Sequence, residues 1–497
     1  MERTRIATAV VVTRGSGRDV EVLVVRRSPR LRFFGGYWAF PGGVVDEADH
    51  DGDPDDDDAH RRCALRELVE EVGLVPDALA EARALRPDLL ARDDRGACRQ
   101  FRALVEAAPH ALDAVHPFAR LTTPPFAPVL YRTRFTHVVA PDDFDPDIVP
   151  GELVDGEFAR PSDVLDVWRH GDRLVAPPVV FFLELLAQGG LETFLESASD
   201  AAAALEEGGH LHPVRNVPGI VMAPLATRTL PPATTTNAYV VGEERLYVVD
   251  PAPTDTGEQK RLFALLDERC AAGGRVVGVL PTHHHPDHVG AVEATALRYD
   301  VPVLAHPETL SRVSLGDART EPLHDGDVLE LGRSPDGGER WTLTALHTPG
   351  HAPGHLAFRE SRYGAVVAGD LVSTLSTIVI DPPDGHMATY LKSLERVLDL
   401  VRDGGVLHPA HGPVATDGAR LLQRTLDHRG LREESLVGAL ERGRATEEAL
   451  VRTVYADVDE RLLPLAARSL RAGLEKLAEE GRAVERAKGR WELAVSS

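Results

Sequence analysis

Seven consecutive residues, Thr282-His283-His284-His285-Pro286-Asp287-His288, concentrate side chains that bind metal ions. In an extended segment alternate side chains share a face. His283 and His285 can therefore point at one ion while the turn that follows aims Asp287 and His288 at a second. Further ligands must come from elsewhere, and the chain supplies His351 in Thr348-Pro349-Gly350-His351, Asp370 after a strand-like run, and His411 in Pro409-Ala410-His411-Gly412. That set suits two tetrahedral or five-coordinate ions. Read as ordinary core or surface histidines, the cluster would leave this concentration of ligand types unexplained. His284, His306, His386 and His408 read as structural or solvent-facing, since the set is complete without them. His355 and Asp250 read either as groups that support ligands or as caps of strand ends.

A second constellation lies in Arg66-Glu67-Leu68-Val69-Glu70-Glu71-Val72-Gly73-Leu74. Glu67, Glu70 and Glu71 stand at i, i+3 and i+4, one face of a helix, and form an oxygen-rich site for a hard cation such as magnesium or manganese. A solvated acidic face is the plain alternative for a Glu-rich helix. Phe40-Pro41-Gly42-Gly43 upstream and Gly73 at the helix end favour the site.

The elements around these residues divide the chain. Residues 1–195 alternate short β-branched runs with one charged helical stretch near Ala59 to Val72, an α/β pattern. Residues 196–216, rich in Ala, Glu and Gly, read as a helical linker or domain boundary. In residues 217–428 strand signals end in polar groups: Leu246–Val249 before Asp250, Val276–Leu280 before the histidine cluster, Ala365–Ala368 before Gly369-Asp370. In α/β folds sites are assembled at that edge. Residues 429–497 read as three helices and a small β wing.

A length of 497 residues exceeds one ordinary core, so two or three domains are expected. The net charge of −23 argues against a broad basic face for phosphate backbones. Three widely spaced cysteines, Cys63, Cys98 and Cys270, give neither a disulfide framework nor a CxxC metal site, which fits a reducing compartment. The N-terminus shows no cleavable signal pattern, and the apolar stretch Val179 to Ala187 is too short to span a bilayer. A cytoplasmic protein without a membrane partner is expected, its oligomeric state open.

The order HxHxDH, TPGH, GD and HG resembles the metallo-β-lactamase superfamily, αββα-sandwich hydrolases. Pro231-Pro232-Ala233-Thr234-Thr235-Thr236-Asn237, Ile380-Asp381-Pro382, Tyr390-Leu391-Lys392-Ser393-Leu394 and the run from His428-Arg429 through Glu433 are similar to its lactamase-β-like subgroup, whose best-known member is an endoribonuclease with a C-terminal winged-helix-like domain. The resemblance implies His283, His285 and His351 on a first zinc, Asp287, His288 and His411 on a second, Asp370 bridging, and Asp287 as a catalytic group. Two cations lower the pKa of a shared water toward neutrality and stabilise charge on the attacked carbonyl or phosphoryl group.

The acidic helix, with its upstream Phe-Pro-Gly-Gly, resembles the Nudix box of the Nudix hydrolases, αβα sandwiches that cleave nucleoside diphosphates linked to another group. The match to REUxEExGU is complete. Twenty-three positions separate Gly43 from Arg66, against fourteen in the family. An acidic insertion around Asp49 to Asp58 enlarges the loop, and the family's preceding glutamate is matched by Asp46, Glu47 or Asp49. The resemblance implies Glu67, Glu70 and Glu71 as metal ligands, Glu70 and Glu71 catalytic, and Arg66 orienting the helix. Arg27-Ser28, Arg32, Gly36 and Gly43 look like the motif of coenzyme A diphosphatases and imply substrate contacts at Arg27, Arg32 and Gly43.

These readings converge on a bifunctional metal-dependent hydrolase of phosphorylated or thioester small molecules. The alternative is an RNA-processing or nucleic-acid-binding protein with a nucleotide-sensing Nudix half, motivated by Arg482, Arg486 and Arg490 in the tail; interleaved glutamates oppose it.

Overall fold

A computed structural model describes residues 4–31, 34–91, 95–123, 129–207, 214–402, 404–486 and 489–494. The chain divides into two compact units, Met1–Pro218 and Gly219–Ser497.

The first unit is built on the strand Arg5–Arg14, which runs parallel to Tyr131–Val139 and antiparallel to Glu21–Arg27 and Gly42–Val44. Its apolar run faces both ways, as a strand covered on two sides requires. Val10 and Val12 enter one core with Leu23, Leu65, Leu68 and Val69, while Val11 enters another with Val22, Val24, Phe135 and Phe182. An α-helix, Asp57–Glu67, and a wider π turn, Leu68–Val72, cover the first face. Asp56 caps the helix start by accepting from the Ala59 amide at 2.7 Å. Helices Pro161–Arg169 and Pro177–Glu207 cover the other face.

The last of these helices corrects two expectations. It runs through the segment read as a linker, and Phe194, Ala198 and Ala202 are buried in the first unit's core. Its length and apolarity alone would pass for a membrane span, far beyond the short stretch read from sequence. Its backbone breaks at Gly190, where φ is +72°, and Val180, Phe182, Leu183 and Leu186 are buried in that core.

In the second unit one sheet carries Ile220–Ala226, Thr235–Val241, Arg245–Val249, Arg275–Leu280, Val303–Ala305 and Thr320–Pro322 as successive neighbours. A second sheet carries Val328–Gly332, Trp341–His347, Leu356–Glu360, Val366–Gly369 and Leu407–Pro409. Helix Thr256–Ala271 packs on the first sheet through Leu262, Leu265 and Leu266, and helix Met387–Val401 on the second through Tyr390, Leu394 and Val397. This is the αββα arrangement. No break separates it from the C-terminal elements at residue 428. The helix Gly418–Glu441 is continuous, placing Leu422 in the sandwich core and Leu436 and Leu440 in a core with Leu450, Leu470, Leu474 and Trp491. That last core lies under a three-stranded sheet of Ala445–Thr446, Arg490–Leu493 and Ala483–Arg486, with helices Glu447–Val454 and Leu463–Glu479, the winged-helix arrangement.

Candidate functional site

The histidine cluster begins where the strand Arg275–Leu280 ends. Beside it, Asp250 follows the strand Arg245–Val249 with φ at +47°, a left-handed turn. Asp250 Oδ1 accepts from the Thr282 amide at 2.6 Å, and its Oδ2 accepts from the Thr282 hydroxyl at 2.8 Å. His288 Nδ1 lies 2.8 Å from the same Oδ2. Asp250 therefore both closes a strand end and orients a histidine.

Because one nitrogen of a neutral imidazole carries a proton, the partner of Nδ1 decides whether Nε2 is bare. His351 Nδ1 donates to the Val379 carbonyl at 2.9 Å, and His411 Nδ1 donates to the Thr235 carbonyl at 3.0 Å. The Thr282 hydroxyl, committed as donor to Asp250, accepts from His283 Nδ1 at 3.0 Å. Each of these three rings is left with a bare Nε2 turned into the site, and His288, its Nδ1 against Asp250, presents its Nε2 there as well.

Two groups result. His283 Nε2 lies 2.9 Å and His351 Nε2 3.0 Å from His285 Nδ1. With the His285 proton on Nε2, three lone pairs would face one another here, an arrangement that a cation relieves, and nitrogens on a tetrahedral zinc stand about 3.3 Å apart. In the other group Asp287 Oδ2 lies 3.6 Å from His411 Nε2, and Asp287 Oδ1 4.0 Å from His288 Nε2. Asp370 spans the two: Oδ2 is 3.4 Å from His351, and Oδ1 is 3.4 Å from His411 and 3.7 Å from His288. His288 Nε2 and Asp370 Oδ1 are buried without a hydrogen-bond partner. Such atoms are costly unless a ligand satisfies them. All seven residues singled out from sequence thus converge, and the donor set fits two cations.

Burial, reinforced by neighbouring histidines, pushes His283 well below the usual histidine range and His285 down to about 3, so both offer lone pairs at neutral pH. His288 is also desolvated, but Asp250 and Asp370 override that and raise it. A cation competes for the same carboxylates that hold this proton. For Asp370 desolvation acts upward, yet His411 and His288 hold the carboxyl well below its ordinary value.

Sequence reasoning left His355 open between two roles. Its Nε2 accepts from the Asp370 amide at 3.0 Å, and its Nδ1 meets the Thr348 hydroxyl at 2.8 Å, so it fixes the backbone of Asp370. The orienting hydroxyls of Thr282 and Thr348 were missed; their place beside His283 and in Thr-Pro-Gly-His was the available signal. His284 faces Asp384 at 3.0 Å. His386 caps the helix Met387–Val401, His306 stacks on His347 with centroids 4.2 Å apart, and His408 is buried against Tyr239.

The acidic site of the first unit is built differently. Gly73, with φ at +73°, ends the helix. Gly43 makes room for Glu67: a Cβ there would lie 2.2 Å from Glu67 Oε1. The Gly42 amide donates to Glu71 Oε2 at 2.8 Å. Arg66 reaches Asp49 at 2.9 Å, Glu67 at 2.9 Å and Glu70 at 3.4 Å. Among Asp46, Glu47 and Asp49, it is Asp49 that meets Arg66. Glu67, Glu70 and Glu71 are buried, and burial with the charge of Glu67 raises Glu71 well above the usual carboxyl range. Three buried carboxylates beside one guanidinium leave an excess of negative charge that a hard cation would offset. Arg27 pairs with Glu152 at 3.2 Å, and its charge also favours the ionised form of Glu71. Arg32 lies outside the described residues. Among the described residues, the groups of three ligand atoms within 4.8 Å of one another all lie in the second unit.

Residues 3–174 match the family model described as NUDIX domain, residues 231–411 that of the Metallo-beta-lactamase superfamily, and residues 446–491 that of the Beta-lactamase associated winged helix domain. The Lactamase-like protein adaB of Aspergillus niger is 31% identical over 212 residues, covering 42% of this chain and 60% of that protein. The chain therefore spans less than two thirds of the length of this relative. The Atrochrysone carboxyl ACP thioesterase nsrC of Aspergillus novofumigatus is 29% identical over 265 residues, 50% of this chain and 74% of that protein. A Beta-lactamase domain protein from Burkholderia ambifaria, 19% identical, covers 57% of this chain and 94% of its own with a TM-score of 0.50, a likeness of fold.

Proposed function

From a hydrolase chain that joins a NUDIX domain to a metallo-beta-lactamase superfamily domain with its associated winged helix, we propose two activities on small molecules. The second unit hydrolyses a thioester or related ester, and the first cleaves a diphosphate linkage in a coenzyme A-like compound or another nucleoside diphosphate derivative. An acyl-coenzyme A carries both bonds. The observation that carries this reading is the meeting of seven ligand side chains around the unpartnered atoms His288 Nε2 and Asp370 Oδ1.

In the second unit His283, His285 and His351 would hold one zinc, Asp287, His288 and His411 the other, with Asp370 between them. Such a pair lowers the pKa of a shared water and stabilises charge on the attacked carbonyl. Asp287, with 17% of its side chain exposed against 11% for Asp370, is the more open carboxylate and would accept the proton released when water attacks. In the first unit Glu67, Glu70 and Glu71 would hold magnesium or manganese, with Glu70 and Glu71 placed to take a proton from water. Arg66, fastened to Asp49 and donating to the Val44 carbonyl at 3.1 Å, would hold the helix against the strand Gly42–Val44. Arg27, Arg32 and Gly43 would contact the phosphates.

The thioesterase name of one relative favours a thioester over a phosphodiester. The arginines behind the RNA reading weigh against it: Arg482 pairs with Glu433 and Glu480, and Arg486 with Glu492. The test is a pair of variants of the metal-reconstituted full chain, assayed on acyl-coenzyme A, nucleoside diphosphate derivatives and single-stranded RNA. Asp287→Ala should remove thioester cleavage alone, and Glu70→Gln diphosphate cleavage alone. Loss of the same activity in both variants would sink the two-site reading.

A further inference from the structure

The segment between the strand Val366–Gly369 and the helix Met387–Val401 is held from two directions, and one of them is the winged-helix region. Toward the histidines, the Val379 carbonyl accepts from His351 Nδ1 at 2.9 Å, and Asp384 meets His284 at 3.0 Å. Toward the C-terminus, the Ile380 amide donates to Ser469 Oγ at 3.1 Å, the Arg429 guanidinium donates to the Ile378 carbonyl, Arg468 pairs with Asp381 at 2.9 Å, and Glu479 meets His386 at 2.9 Å. Ser469, Arg468 and Glu479 lie on one helix, Leu463–Glu479. Ser469 and Arg429 are buried, at 5% and 6% exposure.

The Val379 carbonyl and the Ile380 amide belong to a single peptide unit. A peptide unit is planar, with C=O and N–H on opposite sides when trans, so a rotation that breaks one of these hydrogen bonds breaks the other. The carbonyl accepts a hydrogen bond from His351 Nδ1–H and so leaves Nε2 bare; the amide on the opposite side is pinned by Ser469. We propose that Ser469 is a positioning residue for His351, acting through the Val379–Ile380 peptide, and that the winged-helix region thereby sets how firmly the histidine site holds its ion. The inference rests on the zinc reading given above. It makes this region part of the site's construction rather than an appended module, and Arg468 and Glu479 fasten the same segment at its exposed side.

The experiment is zinc transfer from the full-length protein to a chromophoric chelator, with circular dichroism on the same samples. Ser469→Ala should release zinc about tenfold more readily than the unmodified chain, the scale of lost outer contacts to a ligand histidine, at unchanged far-ultraviolet signal. Ser469→Thr, which keeps the hydroxyl, should restore retention. A purely structural serine would lower the unfolding temperature and leave zinc transfer unchanged, which would overturn the proposal. If Ser469→Ala does not fold, the double variant Arg468→Gln with Glu479→Gln, at exposed pairs, takes its place: zinc transfer several-fold faster supports the relay, and an unchanged rate overturns it. Failure of the unmodified chain to take up zinc would refute the metal reading itself, whereas normal uptake with unchanged retention in the variants refutes only the relay.

Discussion

Five imidazoles and two carboxylates meet in the second unit, and four of the histidines, His283, His288, His351 and His411, are turned by a partner on the far nitrogen. In the first unit three carboxylates share Arg66 and one backbone amide, and no such closed group forms among the described residues. The difference is one of chemistry as much as geometry. Imidazole nitrogens at fixed tautomers suit a borderline ion bound directly, as zinc is. Glutamate oxygens on a helix suit a hard ion that keeps part of its water and gains further ligands from a phosphorylated substrate. Under the proposed function the first site would be completed by what it binds, whereas the second brings its donors together in the fold.

The largest break in this comparison should come from Asp370→Ala. Removing the carboxylate that spans both groups should lower the second unit's hydrolytic rate by about a thousandfold, the loss of several kcal/mol of charge stabilisation, while diphosphate cleavage stays unchanged; parallel assays on the two substrates measure it.

Next in size is a pH effect confined to the first unit. Burial and nearby His116 depress His137 to about 4. A depressed base favours the neutral folded form, so its contribution is present above the unfolded value of 6.5 and is lost as pH falls toward 4. At pH 4 the loss should reach about 3 kcal/mol. Calorimetry of the unmodified chain and of His137→Gln, which can keep a bond to Thr13, should show a shallower acid loss in the variant. Equal slopes would remove His137 as the cause.

Glu70→Gln should cost the first unit about a hundredfold in rate or more, by removing a proton acceptor, and leave zinc content unaltered. The smallest effect expected is for Asp250→Asn. It keeps the shape beside Thr282 but weakens the hold on His288, and zinc affinity should fall about tenfold, read by competition with a chelator.

Much of the second site was legible because its ligands sit where strands stop. The alternation of His283 and His285, and the turn at Pro286, are local features that spacing conveys. What spacing could not convey was which atom of the His288, His351 and His411 rings faces inward, since that depends on Asp250, Val379 and Thr235, remote in sequence from the histidines they turn. In the first unit the glutamates were legible from helical periodicity. Asp49 was ambiguous because three acidic residues stand close together before an acidic loop, and only the fold shows which reaches Arg66. The positions 195 and 428 carry no structural break, for a common reason. Helices Pro177–Glu207 and Gly418–Glu441 run across them, and a helix with core contacts at both ends carries no local mark of where one core gives way to the next.

The measurement that bears most directly on the central claim is zinc content of the full-length protein by elemental mass spectrometry, with X-ray absorption to identify the ligand atoms. Two zinc ions per chain on nitrogen and oxygen ligands are predicted, with loss of bound zinc in His283→Ala and in His288→Ala. Full zinc retention in both variants, or zinc bound mainly through sulfur, would contradict it.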